Sequence, residues 1–200
     1  IRPTPRPLPT VGPKTCTNIL TNGNFEDGLR GWTTDGEAAA GFSDRSGGKF
    51  GAKLLGRNDV TADLRQKVTL PGGTASAHLL YWWRMQSGEA VTTKAASDWV
   101  NVTVDGSTVT ASALEVLSNV AGRDGWRLSA YPLAIDKTQM LIFSAGSNKR
   151  DATTFLIDDI QLMACTGAPG VSPTLSVDPS SGPASTHFTG RGSGFQPGEA

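Results

Sequence analysis

Asp158 and Asp159 interrupt an otherwise apolar run, TTFLIDDIQLMAC, over Thr153–Cys165. By strict alternation Asp158 shares a face with Leu156, Ile160 and Leu162, while Asp159 points the other way with Ile157 and Gln161. A carboxylate among core residues is costly unless something neutralises it. A second acidic stretch, NILTNGNFEDG over Asn18–Gly28, follows Cys16, and the only other cysteine, Cys165, closes the first run. The two stretches read as neighbouring strands joined by a Cys16–Cys165 disulfide, with a cation between their carboxylates. Two unrelated buried thiols are the alternative. If the bridge forms, the Cα atoms should lie about 4.4–6.8 Å apart, and the chain folds in an oxidising compartment.

Catalytic chemistry finds little footing. The two histidines are His78 and His187, and neither belongs to a metal-ligand spacing such as HExxH; no GxSxG elbow occurs. Glycoside hydrolysis needs two opposed carboxylates in a cleft, and no spacing singles out a pair. The reading is therefore non-catalytic. A sugar-binding face needs aromatics that stack on a pyranose ring and a few polar groups beside them. Trp82, Arg84 and Trp99 fall on the outward side of the expected strands, and Tyr131 falls in an expected turn, so these four are the candidate carbohydrate contacts. The competing reading places tryptophans in the core, as for Trp32 and Trp126, and pairs Arg84 with Asp98 as a buried ion pair. Asn101-Val102-Thr103 fits a glycosylation sequon, which matters only in a eukaryotic secretory route.

The elements that must position these residues are strands. Between Cys16 and Cys165 short apolar runs alternate with Gly, Asn, Asp and Ser clusters. Strands are expected near 17–22, 37–42, 50–55, 62–70, 76–86, 98–105, 107–112, 125–130, 139–145 and 153–163. Ala113, Val116, Leu117 and Val120 match a helical face, yet that segment reads as strand end plus loop. The fold class is all-β, an antiparallel β-sandwich or jelly roll. Prolines mark its limits: five of the twelve precede Cys16, five follow Cys165, and only Pro71 and Pro132 lie between. The expected organisation is a Pro-rich arm over 1–15, the jelly roll over 16–165, a linker over 166–171 and a short β extension over 172–200. Strand candidates in that extension are 174–177 and 186–189.

Eighteen basic residues balance eighteen acidic ones, which leaves no electrostatic footprint for nucleic acid or an anionic membrane. No apolar run reaches membrane-spanning length, so no membrane insertion is expected. No signal peptide is read, and Ile1 in place of Met reads as a chain processed or excised from something longer.

The order NILTNGNFEDGLRGW, GGKFGAKLLG, LRQKVTLPGG, LLYWWRMQSGE, DWVNVTVDG and FLIDDIQL resembles the galactose-binding-like jelly rolls. These occur as carbohydrate-binding modules and as accessory domains of secreted bacterial hydrolases and metalloproteases. Residues 172–200 resemble the start of an immunoglobulin-like repeat of the transcription-factor-immunoglobulin kind. The first resemblance implies a structural calcium between first and last strands, with Glu26 and Asp158 as ligands and loop oxygens near Asn24 or in the 43–49 loop beside them. The alternative is that Glu26 caps loop amides and Asp158 pairs with a basic residue. The expectation is an extracellular or cell-surface structural or adhesive unit. Its partners would be other copies of the chain, as a head-to-tail filament held by residues 172–200, or adjacent domains of a larger surface protein. The alternative function is a glycan-binding accessory module of a secreted hydrolase or protease.

Overall fold

A computed structural model describes residues 15–45, 47–88, 97–106, 112–120, 125–166, 174–178 and 189–193. The described strands are β1 (Thr15–Asn18), β2 (Thr33–Gly36), β3 (Ala38–Phe42), β4 (Phe50–Leu55), β5 (Thr61–Thr69), β6 (Thr74–Ser87), β7 (Trp99–Gly106), β8 (Ser112–Ser118), β9 (Arg127–Leu133), β10 (Thr138–Gly146) and β11 (Thr153–Thr166), with β12 (Thr174–Asp178) and β13 (Thr189–Ser193) in a separate unit. The unit Thr15–Thr166 is an antiparallel β-sandwich, as expected. Its six-stranded sheet runs β3-β4-β11-β6-β9, with β1 also paired to β11; its five-stranded sheet runs β2-β5-β10-β7-β8.

The interior strand β11 organises the first sheet. β6 pairs with it over Thr153–Asp158 and Gln161–Thr166, β4 pairs with Thr154–Ile157 and β1 with Met163–Thr166. Cys16 faces Cys165 directly across the β1–β11 ladder, and the two form the expected disulfide. Their Cα atoms are 4.0 Å apart, slightly closer than expected.

Alternation breaks once in β11, and that break corrects the facing derived from the sequence. Asp159 takes a left-handed backbone (φ 47°), and the register with β6 shifts between Asp158 and Gln161. This is a β-bulge, which re-aims every later side chain. Ile160 and Leu162 therefore join Phe155 and Ile157 in the core, while Leu156 and Asp158 stay on the outer face opposite Arg84 and Trp82. The core itself is built by alternation on β5, β6, β7 and β10: Leu64, Leu79, Tyr81, Val100, Val102, Leu141 and Phe143 are all fully buried. Tyr81 from one sheet meets Phe143 from the other edge-on, at 5.3 Å between ring centroids.

Other boundaries moved for physical reasons. The expected strand 17–22 ends at Asn18, because Asn18 Oδ1 accepts from the Leu20 amide and turns the chain. β2 was not expected; its sequence, TTDG, has no apolar alternation and its burial pattern is fully exposed. β8 runs through Ser118 where strand end plus loop was expected. A register shift opposite Val102 and Thr103 puts an extra residue there and breaks the period of two. Tyr131 lies within β9, not in a turn, and Pro132 is accommodated because β9 is an edge strand. β12 and β13 pair antiparallel. The expected strand over 186–189 meets β13 only at Thr189; residues 186–188, the arm 1–14 and the linker 167–171 lie outside the described residues, as do the contacts expected for assembly.

Candidate functional site

The loop that follows β1 is held by its own polar groups. Asn22 (φ 49°) donates through its side-chain amide to the carbonyls of Gly28 and Arg30, and the Trp32 indole N–H donates to the Asn22 carbonyl. Phe25 is fully buried and rests 5.4 Å from Trp32, whose place in the core was expected. Gly23 exchanges backbone contact with the β11 bulge: its carbonyl accepts from the Ile160 amide at 2.9 Å. A Cβ at Gly23 would fall well inside contact distance of the Ile160 carbonyl oxygen, so only glycine fits. The Asn18–Gly28 and Thr153–Cys165 stretches are therefore neighbours.

Their carboxylates do separate work. Glu26 Oε1 accepts from the amides of Lys49 (2.6 Å) and Phe50 (2.9 Å). Those two bonds, Phe50 first, hold its carboxyl below the usual range. Asp158 is buried and accepts from the Ser43 hydroxyl (2.7 Å) and the Asp159 amide (2.7 Å). Burial raises its carboxyl above the usual range, and the Ser43 bond only partly offsets this. Asp159 pairs with Arg45. Asn24 is exposed. Among the described residues no three His, Cys, Asp or Glu side chains gather at one point. Glu26 and Asp158 are each capped by donors of the chain, and Arg45 supplies a positive charge beside the bulge.

Ser43, Asp44 and Arg45 fold over the outer face of the six-stranded sheet. The Arg45 guanidinium sits 4.3 Å from the Trp82 ring centroid. Arg84, from the same face of β6, sits 5.3 Å from Trp126. Asp44 joins the pair: its Oδ2 accepts from Arg84 (2.7 Å) and its Oδ1 from the Trp126 indole N–H (2.9 Å). The indole bond first, and then Arg84, hold the Asp44 carboxyl below its ordinary value. Trp126 thus belongs to this outer cluster and not to the core, because it precedes β9 on the side where Arg84 emerges. Arg84 pairs with Asp44 and not with Asp98, which lies in the other sheet's neighbourhood and accepts from the Asn148 amide.

Trp99 lies elsewhere. It begins β7, in the five-stranded sheet, on the outward side. Trp82 and Trp99 both face outward, as expected, but on opposite faces of the sandwich, since alternation tells inside from outside but not which sheet. The Trp99 indole lies across Gly146 of β10: a Cβ at Gly146 would come within 2.9 Å of Trp99 Cζ2 and 3.1 Å of Cε2. The ring is half-exposed. Beside it the ladder sets Asn101 next to Ser144 and Asp63, and Thr103 next to Ile142 and Arg65. All six are half-exposed, and Arg65 pairs with Asp63. The outward column of β7, from Trp99 to Asp105, spans about 20 Å at strand rise.

Tyr131 serves a third place. It points toward the core side, partly buried, near Glu115. Glu115 of β8 accepts from the Tyr81 hydroxyl and from Ser129 Oγ (2.7 Å), and the Trp83 indole N–H donates to Ser129 (3.1 Å). Burial, reinforced by Glu115, raises the Tyr81 phenol. This network ties the edge strands β8 and β9 across the two sheets, and Tyr131 packs beside it against the core.

Neither the family models nor the curated proteins give a match to this sequence. Solved structures do show the fold. TmCBM61, solved in complex with β-1,4-galactotriose, superposes with a TM-score of 0.57 at 15% identity, covering 73% of this chain and 97% of that one. A family 16 carbohydrate-binding module gives 0.52 at 21%, covering 72% and 99%. The enzymatically active domain of tailspike protein 4 of bacteriophage CBA120 gives 0.51 at 11%, covering 74% of this chain but 21% of that one. The chain shares the β-sandwich of carbohydrate-binding modules.

Proposed function

We propose that residues Thr15–Thr166 form a non-catalytic carbohydrate-binding module of an extracellular protein, with the outer face of the five-stranded sheet as its binding surface. The observation that carries this is the seating of Trp99. Its indole is braced across Gly146 at the head of a face bearing hydroxyl, amide and guanidinium groups. That combination suits a pyranose, which offers an apolar ring face and a rim of hydroxyls. The other candidates are worse placed: Trp82 and Trp126 each carry a guanidinium of the chain itself over the ring. The fold likeness to modules that include a galactotriose complex supports this reading over that of a fibre subunit. The Cys16–Cys165 bridge supports an oxidising, extracellular setting.

The roles assigned are stacking for Trp99, and hydrogen bonding to sugar hydroxyls for Asn101, Thr103, Ser144 and Arg65. A structural calcium at Glu26, Asp158 and Asn24 is a separate proposal that rests on the family resemblance. Probing the full chain against an array of neutral β-linked galacto- and gluco-oligosaccharides tests the function. Binding to at least one series is expected. No binding to any neutral glycan would overturn it.

A further inference from the structure

The outer face of the other sheet holds an arrangement that the glycan reading does not use. Arg84 and the Trp126 indole N–H converge on one carboxylate, Asp44, at 2.7 and 2.9 Å. A guanidinium and an indole N–H supply two aligned donors, which is how a carboxylate is recognised. The two donors also touch each other directly. Arg84 emerges from β6 and is only 19% exposed, and its guanidinium is stacked near Trp126. The acceptor is the more exposed partner, the Asp44 side chain being 50% exposed.

The loop that carries Asp44 is also fixed by other bonds. Ser43 bonds Asp158, the Ser43 amide bonds the Lys49 carbonyl, Arg45 pairs with Asp159, and Glu26 holds the amides of Lys49 and Phe50. These anchors of the loop do not depend on the Asp44 carboxylate, and neither does the contact of Arg84 with the Trp126 ring.

We infer that Arg84 and Trp126 form a binding site for a ligand carboxylate, of the kind a uronic acid presents, and that Asp44 closes it from within the chain. A tethered carboxylate competes at high effective concentration, so the site admits an acidic ligand only when the Asp44 side chain turns out. It is independent of the Trp99 face on the opposite sheet.

The test uses the full chain labelled with nitrogen-15. The indole N–H signals report on the five tryptophans separately, and Trp126→Phe assigns the relevant one. Sodium glucuronate and sodium acetate are the probes; glucose, and sodium chloride at matched ionic strength, are the controls. In Asp44→Ala both carboxylates should shift the Trp126 signal saturably, at least about tenfold more tightly than in the wild type, in keeping with the worth of one charge-assisted pair. The controls should leave it unmoved, and adding Arg84→Ala should abolish the response. Asp44→Asn, which neutralises the occupant while keeping its volume, should also bind glucuronate more tightly than the wild type. An intact variant whose Trp126 signal ignores both carboxylates overturns the inference, as does a wild type that responds equally. Loss of glycan binding through Trp99 would leave this result untouched.

Discussion

Replacing both cysteines with alanine should cost the sandwich about 5 kcal/mol while leaving its native structure in place. The bridge spans 149 residues. In the chain-entropy model, closing a loop of that length removes about 17 cal/mol/K from the unfolded chain, or about 5 kcal/mol at 25 °C. Nothing of comparable size is lost on the native side. β1 keeps its ladder to β11 from Thr15–Thr166 to Asn18–Met163, the Ile19 amide still donates to the Leu162 carbonyl, and Asn18 Oδ1 still accepts from the Leu162 amide. Alanine is the right replacement because Cys165 is buried and serine would place a hydroxyl there. Guanidinium unfolding of Cys16→Ala/Cys165→Ala against the oxidised wild type measures the difference directly. At about 2–4 °C per kcal/mol for a domain of this size, melting should fall by roughly 10–20 °C. A loss below about 1 kcal/mol, on the scale of a single backbone hydrogen bond, would refute the reasoning and detach the bridge from the stability of the fold.

Asp158→Asn separates two accounts of the buried carboxylate. Its folded pKa is raised by burial, so the charged form costs stability as pH rises from the ordinary aspartate range through the folded value. Asparagine should then stabilise the protein at neutral pH and give no gain at acid pH, as read by thermal melts across the range. If calcium occupies Glu26 and Asp158, the same substitution lowers the melting temperature, and excess chelator lowers it in the wild type but not in the variant. Gly23→Ala should destabilise by about 1–3 kcal/mol, because its methyl group must displace the Ile160 carbonyl; a change within a few tenths in denaturant unfolding would contradict the packing. Glu26 and Asp44 have lowered carboxyl pKa values, so the stability they contribute should be present above the ordinary carboxylate range and lost as pH falls through their folded values. Asp44→Asn should flatten that acid limb.

The framework was legible in residue order because burial imposes a period of two. The run holding Val100, Val102 and Val104 could face the core in only one way. The link between the Asn18–Gly28 and Thr153–Cys165 stretches was legible from two cysteines and their acidic neighbours. The facing beyond Asp158 was not, because one residue in a left-handed conformation reverses all that follow, and aspartate does not announce it. Nor did strand order follow from alternation: Trp82 and Trp99 both point outward, yet their sheets are decided by pairings remote in sequence. Asp44 and Arg45 stand out in the sequence only as part of the 43–49 loop, whose oxygens are weaker candidate calcium ligands. Their role exists only once that turn folds back over β6 and β11. Trp126 was misassigned for the same reason, since Arg84, its partner, comes from another strand.

Isothermal titration with the best glycan from the array, comparing Trp99→Ala with Trp126→Ala, tests the binding face most directly. Truncating a hot-spot aromatic costs about 2 kcal/mol or more, so Trp99→Ala, as the main stacking residue, should weaken binding by about thirtyfold or more while Trp126→Ala leaves it unchanged. Full affinity in Trp99→Ala, or its loss in a correctly folded Trp126→Ala, would contradict the assignment of sugar binding to the five-stranded sheet.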